Sequence, residues 1–208
     1  PIPEAILSSW AEATGTRFAG AGIFSGENRP RGAMITYALN IAKAKESAGK
    51  DAKLPTNITI EVYNQSGEKI RTIRRKAEDG VQRFFWGLNK KGVRSPSQPK
   101  PTDPEAPEPG GASVLPGTYK VVVTFGTSLA EQAVKVSADP NETATTAAMG
   151  TNALLIERVE RATEAVTTAA DQIREAQRTL RLIEEQVKDR SDEAAKTVKD
   201  KGKEAAEA

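Results

Sequence analysis

The chain has 208 residues, with 30 Lys and Arg against 28 Asp and Glu, and it contains neither cysteine nor histidine. That double absence excludes disulfides, thiolate nucleophiles, Cys/His zinc sites and histidine-based catalytic triads. A net charge of +2 lacks the clustered basic excess that nucleic acid requires, and no apolar run approaches the roughly 18 residues of a membrane span. Neither nucleic acid nor a membrane span is expected, and no cofactor or metal site is expected either. The chain opens Pro1-Ile2-Pro3 without a Met, which fits a fragment or a processed product.

Residues 1–32 form a lead-in rich in Gly and Ala, with Trp10, Phe18 and Phe24. Residues 33–138 carry strand patterns. Met34 to Leu39 is the first, and Asn57 to Tyr63 the clearest. Alternation there puts Ile58, Ile60 and Val62 on one face and Thr59, Glu61 and Tyr63 on the other. Asn64-Gln65-Ser66-Gly67 turns the chain. Lys69 to Arg75 returns, and Val81 to Leu88 follows. Thr118 to Phe125 and Leu129 to Val136 make a hairpin across Gly126-Thr127-Ser128. Six or seven short strands with turn signals between them predict an antiparallel sandwich. Residues 41–55 read either as a polar loop or as a short helix. Residues 95–113 hold six of the 12 prolines and read as an exposed, polyproline-type excursion.

Residues 139–152 read as a small-residue linker, and residues 153–208 as helical. Leu155, Val159, Ala162, Val166, Ala169, Ile173, Ala176, Leu180, Ile183 and Val187 are spaced alternately four and three apart. This is a heptad a/d seam, and such a stripe wants a partner helix or a sheet face. Leu155, Val159, Val166, Ile173, Leu180 and Val187 are therefore the expected interaction residues. Ser191 is positioned to cap a second, weaker helix. Oligomerisation through the seam and an intramolecular hairpin are both open at this point.

Three constellations bear on chemistry. Phe84-Phe85-Trp86 fits a core strand; its rival reading is a platform on which sugars stack. Asp103, Glu105 and Glu108 lie among prolines, where the rigid frame of a calcium site or a carboxylate pair is not expected. Arg71, Arg74, Arg75 and Lys76 read as a charge-guarded edge strand.

Two stretches resemble a known family. One is Phe24-Ser25-Gly26-Glu27-Asn28-Arg29-Pro30-Arg31-Gly32-Ala33-Met34-Ile35-Thr36-Tyr37. The other runs from Ile58 to Val62, through Gly67-Glu68-Lys69-Ile70-Arg71-Thr72 and Gly80 to Leu88, to Leu115-Pro116-Gly117-Thr118-Tyr119-Lys120-Val121. Together they resemble the region after the β-propeller in bacterial sortilin-type, BNR-repeat "glycosyl hydrolase-like" proteins. They are also similar to the Ig-like domain of the flagellar hook-capping protein. Asp139-Pro140 and the seam from Leu155 match the family's order of sandwich, Asp-Pro and helical hairpin. Gly87 departs from the Asp that usually follows the Trp, and no propeller repeat occurs.

The resemblance implies an Ig/fibronectin-III-like sandwich followed by a long helix or helical hairpin, mainly β with appended α. It implies a periplasmic or secreted protein, with a propeller domain of the parent or another subunit as protein partner. The expected function is a non-catalytic structural and protein-interaction module. The alternative is a carbohydrate-binding module using Phe84, Phe85 and Trp86. A hydrolase built on two carboxylates is the third reading.

Overall fold

The computed structural model describes residues 2–8, 30–49 and 53–207, with side chains up to residue 202. Trp10, Phe18, Phe24 and the start of the first family-like stretch lie outside the described residues. The fold is mixed α/β, with nine strands and three helices among the described residues. It is not mainly β, because one helix alone takes 42 residues. The chain divides into two compact units: Pro1–Gly92 with Asp103–Glu157, and Val93–Thr102 with Arg158–Ala208.

The first unit holds β1 (Ala5–Leu7), β2 (Ala33–Leu39), α1 (Ile41–Ala48), β3 (Asn57–Tyr63), β4 (Lys69–Lys76) and β5 (Gly80–Trp86). It continues with β6 (Asn89–Lys91), β7 (Gly110–Ser113), β8 (Gly117–Phe125) and β9 (Ser128–Ala138). The main sheet has the order β1-β9-β8-β3-β4; β2 pairs with β5, and β6 with β7. The six strands expected from alternation occur within two residues of their predicted bounds. The sheet is not purely antiparallel, since β1 runs parallel to β9 with Ala5 opposite Val136. Three residues are too few to show an alternation, so β1 left no pattern to read.

The core follows period two. Ile58, Ile60 and Val62 are fully buried and meet Val121, Val134 and Val136 of the same sheet. Ala33, Ile35, Phe84 and Trp86 of the β2–β5 pair complete the cluster. Each buried Val, Ile or Phe side chain contributes about 1.5–3 kcal/mol. Trp86 donates its indole N–H to the Asn89 carbonyl at 3.0 Å and packs edge-on to Tyr119, ring centroids 5.5 Å apart. Tyr119 in turn donates to the Leu115 carbonyl at 2.6 Å. The strand at Phe84 stops at Trp86, two residues earlier than its apolar pattern suggests. Leu88 has φ 55, a left-handed conformation that breaks the ladder. Gly32, at φ 107, passes so close to Trp86 that a Cβ there would overlap the Trp86 carbonyl.

Residues 41–48 form the short helix, capped by the Asn40 side chain, which accepts from the Lys43 N–H at 2.8 Å. The helical segment begins earlier than expected. α2 (Thr146–Val187) starts inside the stretch read as a linker. The Thr145 hydroxyl caps it, accepting from the Ala148 N–H at 3.2 Å. Gly150, Thr146 and Thr151 argue weakly against a helix there. Met149, Ala153 and Ile156 of this stretch are half-buried and line a cleft of about 480 Å³ with Leu7, Val114 and Leu115. α3 (Glu193–Glu207) is capped by Asp192 and not by Ser191. The Arg190 guanidinium beside it holds the Asp192 carboxyl below its ordinary value.

Candidate functional site

The proline-rich stretch is ordered by contacts to its own chain. Its neck is closed by the Gly92 N–H donating to the Pro109 carbonyl at 2.9 Å. A Cβ at Gly92 or Gly111 would overlap the facing backbone, so the two strands meet here only as glycine. Arg71 reaches in from β4 and donates to the carbonyls of Lys90, Glu108 and Pro109. Glu108 accepts from the Thr72 N–H at 2.8 Å. β4 is an edge strand, and this carboxylate occupies one of its outward N–H groups. Edge strands left bare invite pairing with other chains. Of the basic stretch, Arg74, Arg75 and Lys76 are exposed, as a charge-guarded edge requires, while Arg71 is structural. Asp103 and Glu105 are exposed, and no group of three or more acidic residues that could hold a metal occurs among the described residues.

In the second unit the segment Val93–Thr102 lies along α2. Thr167, the one buried residue of α2, donates its hydroxyl to the Arg94 carbonyl at 2.8 Å. Arg94 pairs with Asp171, and Arg174 donates to the Pro96 carbonyl. Neighbouring threonines behave differently. Thr163 and Thr168 donate back into their own helix, to the carbonyls of Val159 and Glu164. Thr167 spends its hydroxyl on the segment instead. Nothing in the linear pattern distinguishes Thr167 from Thr168; only the neighbour it meets does.

This clasp leaves the predicted seam uncovered. Leu155, Val159, Val166 and Ile173 are 52%, 64%, 57% and 59% exposed. Leu180 and Val187, towards the level where α3 runs, are half-buried. The two stripes are adjacent on the helix: Thr163, Thr167 and Ala170 each follow a seam position by one residue. The aromatic triplet falls out differently. Trp86 and Phe84 are buried, Phe85 is half-buried, and Arg75 stands over the Phe84 ring at 5.6 Å. The buried rings of Phe84 and Trp86 offer no face on which a sugar could stack, and Phe85 keeps only part of its surface open.

Charge on the sheet surface is locally paired. The Lys69 ammonium, 2.8 Å away, holds the Glu61 carboxyl below its ordinary value, and Glu61 also accepts from Tyr63. No helix of the described residues is long and apolar enough to cross a membrane. No protein-family model, curated protein or solved structure matches this chain.

Proposed function

We propose that the chain is a non-catalytic assembly module, an Ig-like sandwich that presents an interaction helix within an extracytoplasmic bacterial protein. The strand order supports the sandwich. An immunoglobulin-like assignment makes β9, β8, β3 and β4 the G, F, C and C′ strands and β2 and β5 the B and E strands. The Tyr119 bond to Leu115, near the start of β8, corresponds to the tyrosine corner of that fold. The family resemblance supplies the periplasmic or secreted location and the class of partner, a propeller domain or another subunit.

One observation carries the interaction role: Val159, Val166 and Ile173 are exposed in a single stripe on a helix whose adjacent face is already held by Val93–Thr102. Exposed apolar side chains scattered singly are ordinary, but a contiguous row marks a contact surface. Replacing Val166 and Ile173 together by Asp tests this. The exposed positions tolerate the carboxylates in the fold, so Trp86 near-ultraviolet dichroism stays unchanged. The contact is lost, seen as slower sedimentation and faster proteolysis of α2. An unchanged sedimentation profile with unchanged protease resistance rules the docking role out.

A further inference from the structure

We infer that the occupant of the α2 seam is a second copy of this chain, its α2 running antiparallel to the first. The inference rests on the docking reading above and names the partner of that same surface. In heptad terms Val159, Val166 and Ile173 hold a positions, and Ala162, Ala169 and Ala176 hold d positions. A parallel pair would set a against a and d against d. Thick Val and Ile layers would alternate with Ala layers too thin to touch, and unfilled gaps forfeit dispersion contacts. An antiparallel pair with its two-fold between Thr167 and Thr168 sets each a against a d. Val159 then meets Ala176, Ile173 meets Ala162, and Val166 meets Ala169. Each of these layers combines one large and one small side chain, the interdigitation that fills a helix interface, and the next layer outward sets Leu155 against Leu180. The stripe spans about 27 Å at 1.5 Å per residue.

Charge permits the same pairing. The flanking e and g positions between 158 and 177 are Arg158, Thr163, Ala165, Ala170, Gln172 and Gln177. A single charge in that row leaves no like-charge opposition between two copies, and no charge pattern that would select a different helix. The described part of α3 does not serve as the occupant. Its Gly202 lies at the level of Glu184, and Lys199 donates to the carbonyls of Lys188 and Arg190. Continuing to Glu207 at the same rise brings it only to the level of Thr179, short of Ala176.

The chain contains no cysteine, so introduced thiols report orientation without background. Val159→Cys and Ala176→Cys variants are prepared separately, then mixed and oxidised. The antiparallel pair predicts disulfide-linked dimers in the mixture, at least tenfold above either variant alone. Efficient cross-linking of Val159→Cys by itself indicates a parallel pair and overturns the orientation. No mixed cross-link, together with a wild-type mass of 22.3 kDa at high micromolar concentration, overturns the second copy. The Val166→Asp, Ile173→Asp chain then separates the two ideas. If it loses protease resistance relative to a monomeric wild type, the docking role stands with a different partner. If it matches wild type in every measurement, both fall.

Discussion

Val62 on β3 and Val166 on α2 are the same residue in opposite situations. Val62 is fully buried, and every second residue along its strand, Ile60 and Ile58, is buried with it. Val166 is 57% exposed, and its heptad neighbours Val159 and Ile173 are exposed alongside it. Both rows follow the period of their secondary structure. The difference is what faces them. The β unit brings side chains of its main sheet and of the β2–β5 pair into one buried cluster. The helical unit supplies one ten-residue segment, and it covers the Thr167 face. A period in sequence therefore identifies which residues form a face, while burial depends on whether the chain brings something to that face.

Replacing Trp86 by Ala tests the contrast most severely. It empties a fully buried site, removes the bond to Asn89 and unpairs Tyr119. A loss of about 3–5 kcal/mol is expected, read by urea unfolding. Val159→Ala on the helix, by contrast, stays within about 0.5 kcal/mol in the monomer, measured at a dilution where two copies do not pair. Comparable losses at both positions would erase the distinction between the units. Arg71→Ala comes next. It strips a donor from three backbone carbonyls at the neck of the proline-rich excursion, and about 1–3 kcal/mol is expected. Thr167→Val removes the hydroxyl bond to Arg94 while keeping the shape. About 1 kcal/mol is at stake, and tryptic cleavage after Arg94 should rise severalfold with no change in the β unit.

The smallest effect is alkaline. Burial pushes the Tyr119 hydroxyl above its ordinary value. The folded chain then keeps this proton at a pH where the unfolded chain loses it. Stability from this group is complete below pH about 10 and declines as pH rises through the shifted value. Tyr119→Phe should flatten the fall of stability above pH 10 and leave the neutral range shifted only by the lost bond to Leu115. An unaltered alkaline slope would show that Tyr119 does not carry it.

Legibility followed the length of each pattern. Seven residues of strict alternation made β3 readable to its last residue. Three-residue strands, β1 and β6, have no room for a period. Helix α2 was legible from Leu155 onward and hidden before it. Its first turns are Thr, Ala and Gly, with Met149 and Ile156 lining a cleft, and no heptad stripe announces them. Glu108 was unreadable for a different reason. A carboxylate among prolines carries no local sign that a strand edge lies within reach, 36 residues earlier in sequence.

By itself the sequence determined the excluded chemistries, the strand faces, the helical stripe and its register. Each is a property of residue type and spacing, and spacing survives without tertiary context. Only the tertiary structure decided which stripes are covered. It turned Arg71 and Glu108 into fasteners of the excursion and laid Val93–Thr102 beside the seam instead of over it. Such outcomes depend on contacts between residues 36 to 78 positions apart, and no local period encodes them.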